Sequence, residues 1–228
     1  MEKTELITRS PVRIFEKSIQ EGLKKGEIGI IAAPSGIGKT SVLVQLALDK
    51  LLQSRKVIHV SYTKHTDYVL AWYENIFTEV LKKNNLNHID EVKDELVKNR
   101  VLMKFSQESL SGEQVRRSIT ALIREGGFDA EAIIVDGFDF MDAPREWLAE
   151  EKAFAAALNL SVWYSYTTQG NQGIPQALRD ALDLVDVLIT LEPKGDHIAL
   201  RVSKSRDGLN PEQTALRLDP KTLLILAD

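Results

Sequence analysis

With 228 residues, 43% of them hydrophobic, the chain can bury one sizeable core, and no stretch of it has the composition of an interdomain linker. A formal net charge of −4, with acidic and basic residues mixed along the chain, gives no overall attraction to nucleic acid or anionic lipid. The absence of cysteine excludes disulfides, thiolate nucleophiles and cysteine metal sites, and leaves the redox compartment open.

The first five residues, Met1 to Glu5, lack the apolar core of a signal peptide, and no run approaches the length of a membrane span. A soluble cytoplasmic chain without membrane insertion is the expectation. Over residues 11–24, Val12, Phe15, Ile19 and Leu23 recur at helical spacing, which predicts a short helix against the sheet edge before Gly22 and Gly26 break the pattern. Residues 1–26 thus read as a helical lead-in to a single domain covering 1–228.

Residues 28–41 follow, and the rest of the chain is organised around them. An apolar strand from Ile28 runs into Ala33, Pro34, Ser35, Gly36, Ile37, Gly38, Lys39, Thr40 and Ser41, a glycine turn that leads directly into a helix. This matches the phosphate-binding P-loop GxxxxGK[ST] with Ala33 in place of the first glycine. The turn lets successive N–H groups point at a polyphosphate; Lys39 supplies charge to its β- and γ-phosphates, and the Thr40 hydroxyl suits Mg²⁺. The positive end of the helix dipole, near Gly38, adds to the same pocket.

Val42, Leu43, Leu46, Ala47 and Leu51 give the following helix an apolar face, and residues 56–62 form a β-branched strand, completing a β-α-β unit and with it a parallel sheet. Thr66 is placed to cap a helix carrying Val69, Trp72, Tyr73, Ile76 and Val80, and a charged helix follows over 90–98. After a short strand at 101–105, Ser111 and Gln114 have capping-box spacing ahead of a helix with Val115, Ile119, Leu122 and Ile123 inward. Ala132, Ile133, Ile134 and Val135 make a strand buried on both faces, with Asp136 at its carboxyl end, where a partner for Mg²⁺ and Thr40 belongs. A helix at 145–158, a strand at 160–167, a turn with Gly170 and Gly173, and a strand at 185–191 come next. From His197 onward, over 197–228, only strands are expected, at 198–204, 214–218 and 223–227.

Taken in order, Gly22-Leu23, Gly26-Glu27, the P-loop, Asp136, Gln169 and Lys204-Ser205-Arg206-Asp207-Gly208 resemble the motifs of RecA-like P-loop ATPases. Within that superfamily the chain is most similar to KaiC-like ATPases, the RadA (Sms) recombination protein and the ATPase core of DnaB-type helicases, from Val12 to the last residue. The resemblance implies an α/β fold of three layers, a mainly parallel twisted sheet with helices on both faces and an antiparallel C-terminal strand extension. It further implies ATP or ADP with Mg²⁺ and assembly into a homo-oligomeric ring or filament; neither it nor the residues identify the protein partner on which such an assembly would act. Gln169 becomes a γ-phosphate sensor, and Lys204 with Arg206, two apart on an extended strand, would complete the site of a neighbouring subunit.

One departure bears on turnover. Relatives place a water-orienting glutamate at the end of the strand after the P-loop helix or directly after the Mg²⁺ aspartate; here those positions hold Thr63 and Gly137. Slow hydrolysis is expected, or a nucleotide switch or scaffold that barely hydrolyses. A helicase or recombinase reading is disfavoured, because neither 137–142 nor 170–174 contains lysine or arginine. The all-strand C-terminal region fits a small-molecule P-loop kinase less well than a RecA-like protein. His59, His65, His88 and His197 have no metal-ligand spacing and read as solvated or locally hydrogen-bonded, and Trp72, Trp147 and Trp163 read as core.

Overall fold

Segments of β-branched and aliphatic residues alternate with helical ones along most of the chain, and in the computed structural model they close into one sheet covered by helices. The residues described are 2–10, 12–19, 22–62, 66–85, 90–106, 111–139, 144–168, 176–206, 208–209 and 216–227. Two lead-in helices, α1 (Glu2–Thr8) and α2 (Val12–Ser18), precede β1 (Ile28–Ala33), α3 (Lys39–Leu52) and β2 (Lys56–Ser61). Then come α4 (Thr66–Asn84), α5 (Asp90–Lys98), β3 (Arg100–Lys104), α6 (Gly112–Arg124), β4 (Ala130–Asp136), α7 (Pro144–Ala157) and β5 (Ser161–Thr167). The chain finishes with α8 (Gln176–Arg179), a 3₁₀ turn at Leu182–Leu184, β6 (Val187–Lys194), β7 (His197–Ser205), β8 (Gly208–Leu209), β9 (Leu216–Leu218) and β10 (Ile225–Ala227).

The sheet has the order β10-β9-β7-β6-β1-β5-β4-β2-β3, with β8 paired to β7. From β6 through β3 every pairing is parallel; β7, β8, β9 and β10 pair antiparallel. Side chains alternate between the two faces with the period of a strand. Ile31 and Ala33 of β1 thus join one core cluster with α1 to α5, and Ile28, Ile30 and Ala32 join a second with α6, α7 and α8. The mainly parallel sheet, the helices on both faces and the antiparallel C-terminal extension agree with the expectation. Among the described residues no helix is long and apolar enough to cross a membrane.

Local chemistry accounts for several boundaries. The capping box at the start of α6 is formed, with Ser111 Oγ accepting from Gln114 N–H and Gln114 Oε1 accepting from Ser111 N–H at 2.8 Å. Helix α3 is buried nearly all round: 12 of its 14 residues are buried, Lys39, Ser41, Gln45 and Asp49 among them. Such a helix must be covered on both sides, and α1, α2, α4 and α5 pack onto its outer face.

The lead-in differs from the reading of the sequence. Two short helices replace one, and α2 lies over the middle of the sheet rather than at its edge: Phe15 packs on Trp163 of central strand β5, ring centroids 5.9 Å apart. Helical spacing shows that Phe15 and Ile19 share a face, but not which strand that face meets. Trp163 is in the core, as expected, and it sits against a glycine for a steric reason. A Cβ on Gly29, its register partner in β1, would stand 2.4 Å from two carbons of the indole ring.

Candidate phosphate-binding site

Strand β1 leaves the sheet at Ala33, and the loop that follows is open at Ser35 and Gly36. At Gly38 the backbone has φ of 101°, in the left-handed region where a side chain would be strained, and this residue caps α3. Gly38 has no side chain to cap the helix, so it leaves the first N–H groups of α3 to the loop. Lys39, the first helical residue, is only 9% exposed, and its Nζ turns back to donate to the Ala33 and Pro34 carbonyls, both at 2.9 Å. Burial lowers the pKa of this ammonium, while the Asp136 carboxylate acts in the opposite direction.

Asp136 ends β4, two strands from β1 with β5 between them. It is 3% exposed, and Thr40 Oγ1 donates to its Oδ2 at 2.8 Å. The backbone around it is held on both sides: Tyr62 N–H donates to Asp136 O at 2.9 Å, and Gly137 N–H donates to Ser165 Oγ at 2.8 Å. The carboxyl end of the parallel sheet, where open α/β sheets take ligands, therefore gathers an ammonium, helical N–H groups, a hydroxyl and a carboxylate. The hydroxyl and carboxylate oxygens are the hard donors that Mg²⁺ prefers, and the ammonium and N–H groups suit phosphate oxygens. Residues 33–41 and Asp136 are thus brought together.

Gln169 lies outside the described residues; Thr168 before it donates its N–H to Ala33 O at 3.0 Å. Lys204 and Arg206 stand elsewhere. Register carries Lys204 to Leu188 and Leu188 to Ile30, so the end of β7 lies beside the beginning of β1, away from the loop. Lys204 Nζ donates to Val185 O. Arg206, just past β7, is engaged within its own chain: Nε and an amino group hold Glu27 at 2.7 and 2.5 Å, another bond reaches Ile19 O at 2.9 Å, and a further one reaches Gly22 O. β7 ends at Ser205, so Arg206 lies outside the strand on which the spacing argument placed it, and spacing did not show which partner either cation meets.

At the end of β2 the chain reads Ser61 and Tyr62, and β4 is followed by Gly137, so no carboxylate stands at either of those described positions. Asp139 lies two residues farther on and is exposed.

Two features were missed by sequence reasoning. His59, read as solvated or locally bonded, is 1% exposed; its Nδ1 meets Tyr73 Oη at 3.1 Å, and its Nε2 has no hydrogen-bond partner among the described residues. Burial drives its pKa down to about 4; Asp136 opposes that shift and Arg100 adds to it. The second feature is a buried polar stripe along α3, formed by Ser41, Gln45 and Asp49 at four-residue spacing. Three polar residues at four-residue spacing, flanked by the aliphatic residues of 42–48, are the sequence signal that would have found it. A comparison of the chain with models of known protein families finds no match.

Proposed function

We propose that the chain is a RecA-like P-loop protein that binds Mg-ATP or Mg-ADP at residues 33–41 with Asp136, hydrolyses ATP slowly, and works as a homo-oligomer on a protein assembly. The observation that carries this reading is the Thr40 to Asp136 hydrogen bond, 2.8 Å between residues 96 apart, directly beside the infolded Lys39 ammonium. A generic glycine turn before a helix has no need of a buried carboxylate on another strand. In the bound state Thr40 and Asp136 would hold hydrated Mg²⁺, Lys39 would leave the Ala33 and Pro34 carbonyls for phosphate oxygens, and the N–H groups after Gly38 would face the same anion. The metal supplies neutralisation of phosphate charge.

Slow turnover is favoured by Ser61, Tyr62 and Gly137, which cannot orient a water as a carboxylate does. The same observation supports a second reading, a nucleotide switch that barely hydrolyses. In an assembly Arg206 would serve a neighbouring subunit only by exchanging Glu27 for that subunit's nucleotide.

Calorimetry with Mg-ADP on the wild type and Lys39→Ala tests the nucleotide reading. Most affinity should be lost in the variant, and equal binding by the two proteins, tight or absent, refutes it. ATP turnover per subunit, measured with solution mass in the presence and absence of Mg-ATP, separates the slow ATPase from the switch and reports assembly.

A further inference from the structure

The polar stripe on α3 ends on the C-terminal strands. Gln45 is 4% exposed and uses both ends of its amide. Its Nε2 donates to Leu223 O at 2.9 Å and lies 3.1 Å from Ser41 Oγ, while its Oε1 accepts from Ile225 N–H at 2.8 Å. Ser41, fully buried and adjacent to Thr40, donates to the same Leu223 carbonyl at 2.6 Å. Leu218 and Leu223 lie against the last glycine of the loop: a Cβ on Gly38 would be 3.1 Å from Leu218 and 3.8 Å from Leu223. Leu223 itself has φ of 55°, unusual for a residue with a branched side chain and sustained here by its surroundings.

The strands held this way are weak by themselves. β9 and β10 have three residues each and pair at the end of the sheet, where, among the described residues, β10 has only β9 as a neighbour. Pairs that short depend on outside support, and here two side chains of the helix that follows the phosphate loop supply such support. Resting on the nucleotide reading above, we propose that Gln45 is a positioning residue, which couples occupancy of the phosphate loop to docking of the C-terminal turn and β10. A ligand that orders residues 38–41 fixes Ser41 and, one helical turn on, Gln45, and so tightens both bonds to Leu223 and the bond to Ile225. By reciprocity, loosening β10 weakens the ligand.

The test follows backbone hydrogen exchange of Leu223, Leu224 and Ile225 in the full chain with and without Mg-ADP, alongside calorimetric affinity. In the wild type Mg-ADP should slow exchange at these amides by about tenfold or more. Gln45→Met keeps the length and removes the amide; it should abolish that protection and weaken binding by about tenfold. Leu160→Ala, which opens a cavity in the core on the other face of the sheet, at the amino end of β5, lowers stability as a control and should leave both readouts as in the wild type. Should Gln45→Met fail to fold, Gln45→Glu keeps an acceptor for Ile225 N–H and sets a carboxylate against Leu223 O, and should show the same loss. Binding that leaves exchange at 223–225 unchanged, or a Gln45 variant that behaves as wild type, overturns the coupling alone. Absence of Mg-ADP binding by the wild type refutes the nucleotide reading, and the coupling falls with it.

Discussion

Arg206→Ala should destabilise the protein itself, whatever it does in an assembly. The guanidinium makes two bonds to Glu27 and two to the Ile19 and Gly22 carbonyls, and both side chains of the ion pair are 15% exposed. Truncation leaves two carbonyls without this donor and a largely buried Glu27 carboxylate without its counter-charge. Burial alone would raise the Glu27 pKa; Arg206 is the main reason that it is lowered instead. Breaking one side of a buried pair costs about 3–5 kcal/mol, and partial access of water places this case near about 3 kcal/mol. For a chain of this length that is a fall of roughly 6–12 °C in Tm. Urea and thermal unfolding of wild type, Arg206→Ala, Glu27→Gln and the double variant measure the loss and the pairwise coupling. Arg206→Lys, which keeps the charge but not the planar fork, should fall between. A loss below about 0.5 kcal/mol for Arg206→Ala, within the range of ordinary surface substitutions, would refute the argument that Arg206 clasps β7 to the lead-in.

Gly29→Ala should cost roughly 2–3 kcal/mol in denaturant unfolding, because the new methyl group meets the Trp163 ring at 2.4 Å, and adding Trp163→Leu should recover part of the loss. His59, flanked by Asp136, Arg100 and Tyr73, has its pKa lowered to about 4 from 6.5 by burial, so between those values the unfolded chain binds a proton that the folded chain refuses. Stability should therefore fall as pH drops through this window, by about 2 kcal/mol between pH 7 and 5 relative to His59→Gln, and parallel pH profiles for the two proteins would contradict it. Asp136→Ala should remove the metal dependence of nucleotide binding, so that ADP affinities measured in Mg²⁺ and in EDTA converge; an undiminished Mg²⁺ effect would assign the metal to other residues. Thr63→Glu should raise ATP turnover, and rapid hydrolysis by the unmodified protein, at about one per second or above, would show that another residue orients the water.

Much of the architecture could be read from the sequence because its determinants are local. The candidate phosphate loop is nine contiguous residues, its glycines answer to backbone conformation, and the strand before it and helix after it follow from periodicity. The capping box at Ser111 and Gln114 is likewise decided within four residues. Asp136 was legible for a related reason: a carboxylate at the end of a strand buried on both faces has few places to be except the carboxyl edge of a parallel sheet. Side-chain partnerships across long separations depended instead on where the strands sit in the sheet. Periodicity shows which residues share a face but carries no information about strand order, and it is strand order that sets Arg206 on Glu27, 179 residues away, and Leu223 on Gln45, 178 residues away. His59 belongs with these: its type and spacing suggested a solvated or locally hydrogen-bonded residue, and only the covering of β2 by α4 and the packing of Tyr73 against it made it a buried, half-bonded imidazole. Local chemistry determined the loop and the elements beside it, whereas the tertiary fold alone decided which buried charges and amides hold that loop in place.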